Sequence, residues 1–256
     1  MSDRLKQMGR FHSANRVPVP ILTYHQIAPA PTKGTPFRSL CVAPVDFERQ
    51  MGFLHLLGYQ GLSMTGLLPY LRGEKVGKVV GITFDDGYLN NLLNALPVLA
   101  RYGFSSTCYV VSQLLGKTNV WDKEVGIPES PLMSVSELRR WVAEGQEVGA
   151  HTRSHARLMQ LDETASKQEI ELCKSDLEAI TGTSVAHFCY PYGDFAPAHA
   201  AMVQNAGYKT ATTTQRSRCQ VAEGMMQLPR VPISRTTTRL ALWLKIATAY
   251  EDRRRE

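Results

Sequence analysis

Val79-Val80-Gly81-Ile82-Thr83-Phe84 runs without interruption into Asp85-Asp86-Gly87. A short apolar run closed by turn residues reads as a strand buried on both faces, the habit of parallel sheets. The turn that ends it leaves two adjacent carboxylates at the strand's C-terminal end.

The same pattern repeats outward in both directions. Val17 to Ile27 (VPVPILTYHQI) predicts a first strand with His25 at its end, and residues 28–44 are Pro-rich and predict a loop. A helix is expected from about Asp46, with Phe47, Met51 and Leu54 on one face and Gly58 as its stop. Beyond the central strand come a helix over Leu92–Tyr102, closed by Gly103, and a strand over Ser106–Val111. Ser134 and Glu137 form a capping box for a helix over Val135–Glu144, and Glu147–Ala150 is a short strand that delivers His151. A long helix carries Ile170, Cys173, Leu177 and Ile180, with Gly182 after it. Strand Val185–Tyr190 leads into Pro191-Tyr192-Gly193, followed by a short helix near Pro197–Asn205 and strands from Tyr208 and over Leu228–Ile233. The last helix, from about Arg239, spaces Leu240, Trp243, Leu244 and Ala247 as a stripe expected to face the core.

Strands alternating with helices imply βα units and a mainly parallel sheet, either a barrel or a doubly wound sheet. His25, Asp85, Asp86, His151 and Tyr192 all fall just past the C-terminal ends of predicted strands. That rim is where barrels gather groups from strands far apart in sequence, which favours an α/β barrel.

A chain of 256 residues fits such a domain, placed here over 17–256, with residues 1–16 as a loose leader. The net charge of +6 suits anionic partners, or simply a soluble surface. No basic-aromatic motif supports nucleic acid as a partner. The five cysteines are scattered without a CxxC pair, which excludes a zinc ribbon and points to buried thiols. The polar start lacks the apolar run of a signal peptide, so a cytoplasmic location is expected, at most at the inner face of a membrane, unless a leader has been removed. The basic, amphipathic C-terminal helix would then be the point of membrane contact, or would pack on the barrel instead.

Three short motifs bear chemistry. Asp85-Asp86 can split the work, one carboxylate ligating a metal while the other faces a water, although Asp-Asp-Gly is also good turn chemistry. His151-Thr152-Arg153-Ser154-His155 spaces two imidazoles by one helical turn, so that a helix would bring both rings to one ion; alone it also fits two surface histidines. Two His and one carboxylate leave metal positions open for water and substrate. Pro191-Tyr192-Gly193 is a rigid turn whose N–H groups suit an oxyanion. His12 and His199 are expected to be exposed, His55 to lie on a helix flank and His187 to be mid-strand.

Taken together, TFDDG, HTxxH and F-x-x-PYG in this order resemble the polysaccharide deacetylase family (NodB homology domain, carbohydrate esterase family 4), over roughly residues 17–235. The resemblance implies a distorted (β/α) barrel of seven strands. It implies a divalent metal, Zn²⁺ first with Co²⁺, Ni²⁺ or Mn²⁺ as alternatives, on Asp86, His151 and His155. Asp85 matches the general base, and Tyr192 the residue whose backbone N–H holds the oxyanion. Two departures stand out: Cys189 occupies the place of the family's Arg, and no histidine follows His199. Both are similar to the poly-N-acetylglucosamine deacetylase branch, whose acid His lies on an N-terminal strand. His25 fits that place and is expected near the metal on the side away from Asp85. Arg230 is the candidate for the displaced Arg.

The implied reaction removes N-acetyl groups from an N-acetylhexosamine in a glycan or lipid-linked saccharide, releasing acetate and a free amine. An O-acetyl esterase on the same site and a non-catalytic glycan-binding relative are the alternatives.

Overall fold

The computed structural model describes residues 17–220 and 224–255, so the expected leader and His12 lie outside the described residues. Among the described residues ten strands are present: β1 (Ile21–Tyr24), β2 (Gln26–Ile27), β3 (Cys41–Val42), β4 (Gln60–Leu62), β5 (Val79–Phe84), β6 (Thr107–Val110), β7 (Glu147–Ala150), β8 (His187–Cys189), β9 (Thr210–Arg216) and β10 (Leu228–Pro232). Seven of them close a parallel ring, in the order β1-β10-β9-β8-β7-β6-β5 and back to β1. The expected seven-stranded barrel is therefore the fold. Strand β4 pairs with the first half of β5, on the edge that β6 takes over higher up.

The described residues also form seven α-helices: α1 (Pro44–Leu56), α2 (Met64–Leu71), α3 (Leu96–Tyr102), α4 (Val135–Ala143), α5 (Glu163–Thr181), α6 (Pro197–Asn205) and α7 (Arg239–Ala247). Local chemistry sets their ends. Helix α4 has both halves of the Ser134/Glu137 capping box, while Asp162 caps α5 and Gly182, at φ 69, ends it. Among the described residues, no helix is long and apolar enough to cross a membrane.

Period-two alternation explains how the barrel is filled. Leu22 and Tyr24, Ile82 and Phe84, Cys108 and Val110, Val148 and Ala150, and Phe188 point outward into one large core shared with the helices. Ile21, Val79, Tyr109, Cys189 and Leu228 point inward and join Met64, Leu67 and Leu71 of α2. Met64 and Thr65 bond to Thr107, Glu147 and His187, at the starts of β6, β7 and β8, so α2 plugs the N-terminal mouth. Tyr109 fills the lumen so closely that a Cβ on Gly149 would stand 2.4 Å from its ring.

Three expectations need correction. Helix α7 buries Leu242 and Ile246, while Leu240 is 67% and Trp243 40% exposed. The packed face is an i, i+4 pair lying to one side of the apolar stripe that the spacing suggested. His199 is buried, and its Nδ1 accepts the Ala196 N–H at the start of α6. The segment carrying His151 and His155 is a loop, not a helical turn.

Candidate active site

Continuing the alternation past each strand end builds the site. Inward positions 21 and 23 of β1 lead to His25, 81 and 83 of β5 to Asp85, and 147 and 149 of β7 to His151. On β10, Leu228 points inward and Arg230 follows it into the lumen. These side chains meet at the C-terminal mouth.

Asp85 is 3% exposed and held from below. Arg230 Nη1 and Nη2 donate to its two oxygens at 2.7 and 2.8 Å, a bidentate fork. The remaining N–H groups of Arg230 go to the Thr213 carbonyl (2.9 Å), Thr83 Oγ1 (3.2 Å) and Cys189 Sγ (3.2 Å). The small thiol at position 189 leaves room for a guanidinium that arrives from β10 instead. Burial alone would raise the Asp85 pKa, but the Arg230 charge and hydrogen bonds outweigh it and hold the carboxyl below its ordinary value.

Asp86 faces the other way. Its φ of 76 turns the chain, and its Oδ1 lies 3.5 Å from His151 Nε2 and 3.3 Å from His155 Nε2. The two rings converge through left-handed residues, Thr152 (φ 61) and His155 (φ 63), rather than through helix geometry. The Ser154 hydroxyl and the N–H groups of Arg153 and Ser154 bind Glu169 of α5, which fixes this loop. His151 Nδ1 meets the Cys189 carbonyl at 2.7 Å. Burial would raise the Asp86 pKa, yet the two imidazoles hold it well below its ordinary value, and burial lowers that of His155.

The donor set fits a divalent cation. One ligand atom from each of Asp86, His151 and His155 lies within 4.8 Å of the others, and all three residues are buried. Arg230 is committed to Asp85, so the charge of Asp86 is the one a cation would balance. A carbonyl acceptor behind one imidazole is the usual outer support of a metal-ligating His. A second grouping of Asp85, His151 and Cys189 is equally compact, but Arg230 already occupies it.

His25 lies beside Asp85, with Nε2 3.9 Å from Oδ2, not on the far side as expected. The reason is register: Tyr24 pairs with Phe84, so the next residues of β1 and β5 are neighbours. Tyr192 sits in its turn at φ 60, with Arg157 stacked 3.6 Å over its ring. Sequence reasoning missed Trp121 and Asp122, on a 3-10 segment (Val120–Val125) with no periodic signature. Trp121 stacks on His155 with ring centroids 4.3 Å apart, and Asp122 lines the same cleft. Burial and the nearby Asp86 charge raise the Asp122 pKa.

The polysaccharide deacetylase family model matches residues 72–211, more than half of the chain. The chain belongs to the polysaccharide deacetylase family. It is 28% identical over 218 residues to YxkH of Bacillus subtilis, covering 84% of this chain and 71% of that protein. It is 22% identical over 201 residues to a poly-beta-1,6-N-acetyl-D-glucosamine N-deacetylase of Staphylococcus aureus, covering 77% and 69%. The fold of the Streptococcus pyogenes deacetylase PplD, solved in complex with acetate, superposes with a TM-score of 0.79 at 24% identity, covering 90% of this chain and 99% of that one. As a family member the chain is a carbohydrate deacetylase, with a buried set of possible metal ligands at the mouth of its barrel.

Proposed function

We propose that this deacetylase hydrolyses the N-acetyl group of an N-acetylhexosamine in a glycan or lipid-linked saccharide, with a divalent metal on Asp86, His151 and His155. The observation that carries the reading is the pairing of an arginine-anchored, unliganded Asp85 with the adjacent Asp86 of the metal set. The similarity to an N-deacetylase supports amide over ester cleavage. Two imidazoles and one carboxylate suit Zn²⁺ first, with ligand distances of about 2.0–2.2 Å. Bound there, the ion would supply Lewis-acid polarisation of the acetyl carbonyl and a lowered pKa for the attacking water.

The chain's own groups do the rest. Asp85, kept ionised by Arg230, accepts a proton from water as the water oxygen bonds to the carbonyl carbon. The Tyr192 N–H is the proposed donor to the developing oxyanion. When the C–N bond breaks, His25 gives a proton to the leaving nitrogen, which would otherwise depart as a strongly basic amide anion. Acetate and a free amino sugar result. Exposed Leu240 and Trp243 beside Arg239 support peripheral membrane contact by α7 as part of the same reading.

Acetate release from a panel of N-acetylglucosamine oligomers and lipid-linked N-acetylhexosamines tests the reaction. Activity should vanish with a chelator and return with Zn²⁺, and His151→Ala should lose the metal. Full metal retention in that variant would remove the proposed site.

A further inference from the structure

The cleft over the site has a volume of about 540 Å³, and much of its lining away from the reacting groups is apolar. Pro29, Phe37 and Leu40 line it from the segment around β2 and β3, and Ile127, Pro128 and Pro131 from the segment after the 3-10 turn at Val120–Val125. Asn90, which also lines the cleft, is engaged elsewhere: its Nδ2 donates to Gln26 Oε1 at 3.0 Å, and its Oδ1 accepts the Ile27 N–H at 3.1 Å. A sugar ring against the prolines and aliphatic side chains would turn hydroxyls towards groups that cannot bond them, which costs free energy, whereas hydrocarbon would bury there at no such cost. At the rim, Phe37 is held at φ 52 and is 59% exposed, an apolar ring presented to the cleft by a strained backbone.

We propose that the cleft holds a hydrocarbon subsite for the aglycone of a single acetylated amino sugar, so that the substrate is an amphiphilic glycoside rather than the interior of a long glycan. The inference rests on the deacetylase reading above, which fixes its direction. His25 serves the leaving nitrogen, the nitrogen carries the sugar, and the 28–40 wall follows directly from His25. The sugar and whatever its anomeric carbon bears therefore lie against Pro29, Phe37 and Leu40.

Methyl, butyl and hexyl N-acetyl-β-glucosaminides test this in two ways: acetate release by the Zn²⁺-loaded enzyme, and calorimetric binding to the Asp85→Asn protein. Affinity and kcat/KM should rise at least about tenfold from methyl to hexyl, given the gain per buried methylene. The hexyl-to-methyl ratio should collapse in the double variant Phe37→Ser/Ile127→Ser, whose first site is exposed and does not threaten the core. Lengthening the N-acyl group on the methyl glycoside from acetyl to hexanoyl should reduce turnover; a gain there instead would move the hydrocarbon to the acyl side and overturn the assignment. Acetate release at equal kcat/KM along the glycoside series would sink the subsite and leave the deacetylase standing. Chain-length-dependent binding with acetate released from no substrate would sink the deacetylase and leave the subsite.

Discussion

Arg230 commits all five of its N–H donors in a buried lumen, and two of them define the state of Asp85. Arg230→Lys keeps a charge but cannot reproduce the fork. Burial, which pushes the Asp85 pKa up, would then go less opposed, so the acid limb of the kcat/KM profile should move to higher pH. An unmoved limb would show that Arg230 does not tune the base. Asp85→Asn should keep the metal and lose roughly 10²–10⁴-fold in kcat, the usual range for a positioned base; metal loss in that variant would mean the two aspartates have exchanged roles. His25→Ala should harm amide hydrolysis far more than hydrolysis of an activated aryl acetate, whose leaving group needs no proton. Equal losses on both substrates would make His25 a positioning residue for its neighbour Asp85, 3.9 Å away.

Strands β5 and β7 deliver Asp86 and His151 of the proposed metal set, and β7 is tightly constrained. A Cβ on Gly149 would press on the Tyr109 ring at 2.4–2.6 Å and on the His187 carbonyl at 3.1 Å. Gly149→Ala should therefore cost about 1–3 kcal/mol in unfolding measurements. It should also weaken Zn²⁺ binding, because His151 lies two residues further on, just past the end of β7; a normal melting temperature with normal metal affinity would refute the coupling. This inward parity was legible in the sequence. Positions 83 and 85, 149 and 151, and 228 and 230 announce the lumen once the strands are known, and parity points to Arg230 more firmly than the missing motif did. The segment from Gln60 to Leu71 was not legible: β4 is three residues long with an interior Gly, and α2 contains Pro69. Trp121 and Asp122 escaped for a similar reason, since a 3-10 segment has neither helical nor strand period. The HxxxH spacing permitted a helix, but left-handed φ at Thr152 and His155 closes the same distance with a loop.

At the scale of the whole molecule, the end of the barrel remote from the site carries a titratable cluster. His187 is fully buried, with Nδ1 on Thr210 Oγ1 at 2.7 Å and Nε2 on Thr65 Oγ1 at 3.0 Å. Burial, more than the partly offsetting Glu147 charge, pushes its pKa down to about 4. An unfolded His titrates near 6.5, so between those values the unfolded chain binds a proton that the folded one refuses. Stability should be fully present above about pH 6.5 and decline as the pH falls towards about 4. His187→Gln should flatten that decline in a series of melting curves, and an identical slope would refute the role. The ring of strands has a further consequence, in time rather than space. Leu22 is the partner of both Ile82 and Val231, so the first stave is also the last joint, closed across about 200 residues of chain. A ribosome releasing this chain from the N-terminus would expose His25 and Asp85 long before Arg230 exists to hold them. The proposed site thus cannot form until β10 has been made, and it comes together only when the barrel shuts.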